Sequence, residues 1–180
     1  MKARMMMVAG LAFLLVSAAG AQTKVSGTQN CAKPDVVGTA DAGDRAGHTL
    51  AVQKGTCTWT TGLQMAGGSS KDGSSVEFTE MWSTRITNNG TYVGNMDNGD
   101  KFYVSYHASA ALKDGAPTGP VKGTWSYTGG TGKLKGITGK GTYTATTNAD
   151  GSAVVEVEGD YMIPAPAAPK MAAPKPKTSK

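Results

Sequence analysis

The chain has 180 residues, a length typical of one domain, and a formal net charge of +5. Two of its eighteen basic residues precede residue 22 and four follow residue 163, and neither segment contains an acidic residue. Residues 22–163 therefore hold twelve basic and thirteen acidic residues, a net charge of −1, which excludes the basic surface of a nucleic-acid-binding domain. Only two cysteines and two histidines are present, too few to predict a structural zinc site, and we expect no metal or cofactor.

The first 21 residues have the pattern of a secretory signal peptide. Lys2 and Arg4 form a positive start, residues 5–16 are apolar, and the small residues 19–21 precede Gln22. The apolar run is too short to span a bilayer as a helix. The sequence therefore predicts export, to the periplasm or out of the cell, with a mature chain that begins at residue 22.

Both cysteines, Cys31 and Cys57, belong to the predicted mature chain. An exported location permits a disulfide, although two separate buried thiols are the alternative. We expect the bridge on grounds of compartment. It would tie the N-terminal segment to an early strand and contribute roughly 3 kcal/mol.

Alternating apolar and polar residues, without a helical run, predict strands along the whole mature chain. The predicted strands are residues 24–28, 36–39, 48–61, 76–87, 91–96, 101–111, 121–128, 137–147 and 152–163. Gly- and Ser-rich residues 67–75 are predicted to form a loop, and residues 88–90, 97–100 and 148–151 hairpin turns. Residues 97–100 also resemble the start of a calcium loop but lack its later ligands. Strands at this spacing predict an all-β barrel or sandwich.

Residues 129–141 are dense in glycine, which suits tight turns and sharply bent strands rather than a helix. The spacing around Gly132-Lys133 and Gly139-Lys140 does not match a phosphate-binding loop.

This glycine-dense hairpin also carries a resemblance to a known superfamily. Residues 125–143 resemble the late-barrel segment of the allene oxide cyclase and dirigent superfamily, and many exported bacterial proteins of unknown role look similar. Residues 57–59, Cys-Thr-Trp, resemble an element of those bacterial proteins only. The resemblance implies an eight-stranded antiparallel barrel with an apolar interior. It implies no single activity, because some members cyclise or isomerise and others steer radical coupling. No residue matches the cyclase's catalytic positions.

Glu80 is the first candidate for chemistry. Simple alternation along residues 76–87 places Glu80 on one face with Phe78 and Trp82, and we expect that face to line the barrel. Burial in an apolar interior would raise the pKa of the Glu80 carboxyl, which suits a general acid or base and a ligand-binding group. The alternative is a bulge that turns Glu80 outward, or a pairing with Arg85 or a lysine.

Five aromatic residues are candidates for the lining of an apolar cavity. They are Trp82, Tyr106, Trp125, Tyr127 and Tyr143. An eight-stranded barrel has room for core side chains or for one small ligand, so core filling is the alternative. His107 falls on the more polar face of its strand, and we expect it to be exposed.

Residues 164–180 are rich in proline, alanine and lysine, which predicts a disordered, extended tail. Its four lysines, Lys170, Lys175, Lys177 and Lys180, suit either weak contact with anionic envelope components or solubility alone.

Two functions follow from the sequence. The first is an exported barrel without enzymatic activity that binds a small apolar ligand or has a structural role in the envelope. The second is a cyclase- or isomerase-type enzyme that acts on an apolar substrate inside the barrel. An outer-membrane barrel is disfavoured because the predicted outward faces are polar. The oligomeric state is left open.

Overall fold

The computed structural model describes residues 22–165. The predicted signal peptide, residues 1–21, and all but two residues of the predicted tail lie outside the described residues. The strands are β1 (Thr23–Cys31), β2 (Asp35–Asp41), β3 (Thr49–Thr61), β4 (Gln64–Met65), β5 (Gly68–Met81), β6 (Arg85–Met96), β7 (Lys101–Lys113), β8 (Ala116–Pro117), β9 (Val121–Gly130), β10 (Thr138–Thr147) and β11 (Ala153–Met162). A 3-10 turn, Gly132–Leu134, precedes β10. No helix over residues 22–165 is long and apolar enough to cross a membrane.

Eight of these strands close into an antiparallel barrel, as the sequence predicts. The order around the barrel is β1, β11, β10, β9, β7, β6, β5 and β3, and β3 closes the ring because it pairs with both β5 and β1. Only the second half of β3 pairs with β1. Its first half pairs with β2, which resumes the direction of β1 after Pro34.

One end of the barrel is filled by an apolar cluster that we call the end plug. Its members, each 1–2% exposed, are Leu63, Met65, Phe102, Leu134 and Ile137. The predicted glycine-dense hairpin supplies two of them, because the 3-10 turn folds Leu134 and Ile137 inward. Positive φ at Gly132 (51°) and Gly136 (77°) makes this turn possible.

The predicted turns at residues 97–100 and 148–151 are confirmed. Gly99 (φ 86°) and Gly151 (φ 85°) occupy the left-handed conformation that each turn requires. The backbone N–H of Asp100 also donates to the Asn98 side chain at 2.9 Å, a local bond typical of such turns.

The predictions for the hairpin of β5 and β6 are wrong in two respects. Residues 67–75 are not a loop, since β5 begins at Gly68. Residues 88–90 are not a turn but the middle of β6, and the chain reverses at residues 82–84. Asn and Gly are tolerated there because the Asn88 side chain is hydrogen-bonded within the barrel and Gly90 lies beneath the ring of Tyr106.

The phase of β5 is also opposite to the prediction. Val76 and Phe78 are 48% and 43% exposed on the outer surface, where Phe78 lies opposite Val52 of β3. Glu77 and Thr79 point inward instead. Alternation gave the wrong inward face for β5 because its apolar residues Val76 and Phe78 lie on the outer surface. The inward positions instead carry polar groups that hydrogen-bond to one another.

Candidate functional site

The barrel encloses a cavity of about 310 Å³ between the end plug and the opposite end. Its walls are largely aromatic: Trp59, Tyr92, Phe102, Tyr106, Trp125, Tyr127 and Tyr143. At the end away from the plug the lining consists of smaller side chains, among them the half-exposed Ile86, Val121 and Ala145. The cavity therefore opens at that end, where β5 and β7 finish and β6 and β9 begin.

A single carboxylate, that of Glu77, lies among the lining residues. The Tyr106 hydroxyl donates to Glu77 Oε2 at 3.0 Å, and the Asn88 amide donates to Oε1 at 2.8 Å. The Thr79 hydroxyl also donates to Oε1, at 3.4 Å. No lysine, arginine or histidine is among the residues that line the cavity in the described part of the chain. The arrangement is thus an anionic acceptor held by neutral donors in an apolar chamber.

Four tyrosines of the cavity wall are held as neutral phenols. Burial raises the pKa of Tyr92, Tyr106, Tyr127 and Tyr143, and the negative charge of Glu77 raises it further for Tyr106 and Tyr143. Each hydroxyl therefore remains a hydrogen-bond donor at neutral pH. The Tyr92 hydroxyl donates to the Gln29 amide oxygen at 3.0 Å.

Glycines on neighbouring strands allow the rings to lie against the barrel wall. A Cβ placed on Gly90 would come within 2.2 Å of the Tyr106 ring, and one on Gly123 within 2.3 Å of the Tyr143 ring. In the same way Trp125 covers Gly141, where a Cβ would come within 2.6 Å of the indole. Each ring occupies the space that a side chain would otherwise fill, which keeps the centre of the barrel open.

Four of the six predicted ligand-binding residues line this cavity, namely Tyr106, Trp125, Tyr127 and Tyr143. The other two, Glu80 and Trp82, are not among its lining residues, and the expectation that Glu80 faces the interior is wrong. The carboxylate inside the cavity is that of Glu77. Simple alternation did not single out Glu77, because Glu77 shares its face of the strand with Ser75 and Thr79 and not with apolar residues. Only the opposite phase of β5 would have singled it out.

Glu80 and Trp82 instead form a cluster with His48 at the open end of the barrel. His48, 9% exposed, is hydrogen-bonded through Nδ1 to Asp44 at 2.5 Å and through Nε2 to Glu80 at 2.9 Å. Its ring stacks on that of Trp82, with centroids 4.9 Å apart, and the Arg85 guanidinium lies 3.8 Å from the centroid of the Trp82 ring. Glu80 therefore pairs with His48, from the loop before β3, and not with Arg85, which was the predicted alternative.

The hydrogen bond to Asp44 raises the pKa of His48 above its usual value, and Glu80 adds to this while burial opposes it. The same bond lowers the pKa of Asp44. Two carboxylate partners require a proton on both ring nitrogens, so His48 is held as the imidazolium ion. The cluster fastens the loop between β2 and β3 to the end of β5.

Cys31 and Cys57 form a disulfide, as expected. The two residues are direct partners in the pairing of β1 with β3, and both line the cavity. His107 is exposed, also as expected, and its Nδ1 lies 2.8 Å from the Asn89 side-chain oxygen. Over residues 22–165 no group of three His, Cys, Asp or Glu side chains is arranged to hold a metal ion.

Fold and site together define a small closed β-barrel whose aromatic-walled cavity carries one carboxylate. No protein-family model and no curated protein matches the chain. Among solved structures, the chain is similar to a protein of unknown function of the DUF3224 family from Shewanella oneidensis MR-1, with 18% identity and a TM-score of 0.48 over 81% of this chain and 100% of that one. It is also similar to a pterocarpan synthase dirigent protein, with 12% identity and a TM-score of 0.40 over 86% of this chain and 97% of that one.

Both similarities concern overall shape at low identity and carry nothing about ligand or activity. The relationship to exported bacterial proteins remains a prediction from residues 57–59 and 125–143.

Proposed function

We propose that the protein binds one small, largely apolar molecule inside the barrel and does not convert it. The observation that carries this proposal is the cavity of about 310 Å³, with aromatic walls, a closed end and a single carboxylate. Apolar walls with few convergent polar groups are the usual features of a small-molecule site, and this volume lies at the lower end of the usual range. A compact ligand, held mainly by burial of its apolar surface, fits these features.

We further propose that the protein acts after export, in the periplasm or outside the cell. The signal-peptide pattern of residues 1–21 supports this, and so does the Cys31–Cys57 disulfide, because disulfides persist in oxidising compartments. The lysines of residues 164–180 add a weak electrostatic attraction to anionic envelope components.

Blocking the mouth of the cavity tests the binding role. Ala145 lines the open end, whereas the next residue of β10, Thr146, is exposed and does not line the cavity. Ala145→Phe should therefore fill the mouth, and Thr146→Phe is the matched control. Native mass spectrometry of disulfide-bonded protein, purified without detergent, should show one bound small molecule in the wild type and in Thr146→Phe but none in Ala145→Phe.

An adduct of equal abundance in all three proteins would place the ligand elsewhere. If the wild type carries no adduct and also takes up none of a panel of small apolar compounds, binding in the cavity is refuted and a structural role in the envelope remains.

A cyclase- or isomerase-type enzyme is the second candidate. One observation favours it: a carboxylate, Glu77, and a neutral phenol, Tyr106, lie 3.0 Å apart inside the cavity, a pair able to take up and return a proton. In this alternative, Glu77 has the general acid or base role that was predicted for Glu80. Incubating the bound molecule with catalytic amounts of protein, followed by chromatography and NMR, distinguishes the two roles. An isomer that forms with the wild type but not with Glu77→Gln supports the enzyme, and an unchanged molecule supports binding alone.

A further inference from the structure

We infer that the cavity selects an organic cation, an amine or quaternary ammonium group attached to a compact apolar body. This inference rests on the proposed binding function and specifies the class of ligand. It follows from the charge of the cavity and from the position of its aromatic rings.

Within residues 22–165, the Glu77 carboxylate has no positively charged partner in the cavity. The groups that donate to it, from Tyr106, Asn88 and Thr79, are all neutral. Among the described lining residues there is no other acid and no base. A carboxylate in an apolar chamber is costly unless an opposite charge compensates it, and a ligand ammonium group would supply that charge.

Two positively charged groups at the open end, those of His48 and Arg85, have other partners. The His48 imidazolium bonds to Asp44 and Glu80, and the Arg85 guanidinium lies over Trp82. Neither of these groups bonds to Glu77, and no base lines the cavity in the described part of the chain, so a ligand ammonium group could supply the opposite charge.

Two aromatic rings, those of Tyr106 and Tyr143, lie beside the place that such a cation would occupy. Tyr106 donates its hydroxyl to Glu77, and its ring meets that of Tyr143 edge to face, with centroids 6.1 Å apart and an interplanar angle of 88°. Trp125 lies opposite Tyr106 in the pairing of β7 with β9. Electron-rich ring faces beside a carboxylate attract an ammonium group through cation–π and charge interactions together.

The same features disfavour other ligand classes. A fatty acid or other carboxylate would bring a second negative charge next to Glu77 without a cation between them. A neutral apolar molecule would fill the walls but leave the Glu77 charge uncompensated. The expected order of affinity is therefore cation, then neutral molecule, then anion.

Three probes with one skeleton and three charges test this order: 4-phenylbutylamine, 4-phenylbutanol and 4-phenylbutanoate. Isothermal titration of the disulfide-bonded protein at pH 7 should show the amine binding about tenfold more tightly than the alcohol, with no measurable binding of the carboxylate. Glu77→Gln should remove most of the preference for the amine and leave only the part that the aromatic rings contribute. Glu156→Gln, an exposed position on β11 that does not line the cavity, should keep the preference.

A second pair of variants guards against misfolding of Glu77→Gln, which circular dichroism would reveal. Tyr143→Leu removes an aromatic face and should weaken amine binding several-fold more than alcohol binding, whereas Tyr143→Phe should not.

The outcomes separate the two proposals. Equal affinity of the wild type for amine and alcohol, or tighter binding of the carboxylate, overturns cation selection while leaving the binding function intact. Failure of the folded wild type to bind any of the three probes overturns both.

Discussion

His48 connects the stability of the open end of the barrel to protonation. Both of its ring nitrogens are bonded to carboxylates, and it lies against Trp82. The cluster holds the loop before β3 against the end of β5. Its contribution to stability should therefore be larger when His48 is protonated.

We predict a pH-dependent contribution of His48 to thermal stability. Because its pKa is raised in the folded state, the stabilisation is complete below the unfolded value of about 6.5 and is lost as the pH rises through the folded value. The pKa of Asp44 is lowered, so its share is present above the unfolded value of 3.8 and is lost as the pH falls through the folded value. The melting temperature of the wild type should exceed that of His48→Gln most between about pH 4 and 6.5.

Differential scanning calorimetry of both proteins between pH 4 and 9 measures this difference. Arg45, which bonds to Asp44, and Arg85, beside Trp82, are present in both proteins. A gap between the two melting curves that is the same at pH 5 and pH 8.5 would show that His48 is not held as a cation.

At the scale of the strand, glycine decides where aromatic rings can lie. Gly90 is in the middle of β6, directly opposite Tyr106 of β7, and its missing side chain leaves room for that ring. Ordinarily a glycine weakens a strand. Here it lets the barrel keep both a large aromatic wall and an open interior.

Gly90→Ala should therefore destabilise the protein by about 1–3 kcal/mol, because the new methyl group displaces the Tyr106 ring. The matched control is Gly38→Ala in β2, where a Cβ would meet nothing within 4 Å and which should change stability by less than about 0.5 kcal/mol. Urea unfolding monitored by tryptophan fluorescence gives both values. Equal effects of the two substitutions would mean that Tyr106 can move away freely.

For the whole molecule, closure of the barrel depends on a short seam. β1 and β3 pair over only the last few residues of each strand, with a register shift between Thr28 and Gln29. The Cys31–Cys57 bridge joins the two strands at one end of this seam, beside the cavity. The disulfide that joins β1 to β3 therefore also forms part of the cavity wall.

Removing the bridge should lower the free energy of unfolding by about 3.5 kcal/mol, the loop-closure entropy for a cysteine separation of 26 residues. Denaturant unfolding of the Cys31→Ala/Cys57→Ala double variant measures this loss, and wild-type protein kept in reductant is the control, since the two should agree. Stability unchanged in both would show that strand pairing alone closes the barrel.

Much of the fold could be predicted because its signals are local. Along β7, Phe102, Val104 and Ala108 alternate with polar residues, and all three are buried. The turns at Gly99 and Gly151 follow from residues that tolerate positive φ. Where β5 carries apolar residues on its outer face, the same reasoning placed the loop, the turn and the phase wrongly.

The sequence by itself determined an all-β fold and its clearest turns, and its resemblance to a known superfamily implied the closed barrel. It also indicated the cysteine pair and four aromatic residues of the cavity wall. Only the tertiary structure decided which carboxylate enters the cavity. Glu77 points inward because β6 and β7 bring Asn88 and Tyr106 within hydrogen-bonding distance of it. Glu80 is hydrogen-bonded to His48, which comes from a loop distant in sequence. Successive side chains of a strand point to opposite faces, so a shift of one residue exchanges inside for outside. Which of the two carboxylates faces inward therefore depends on residues from other strands and loops. The sequence of β5 alone does not contain this information.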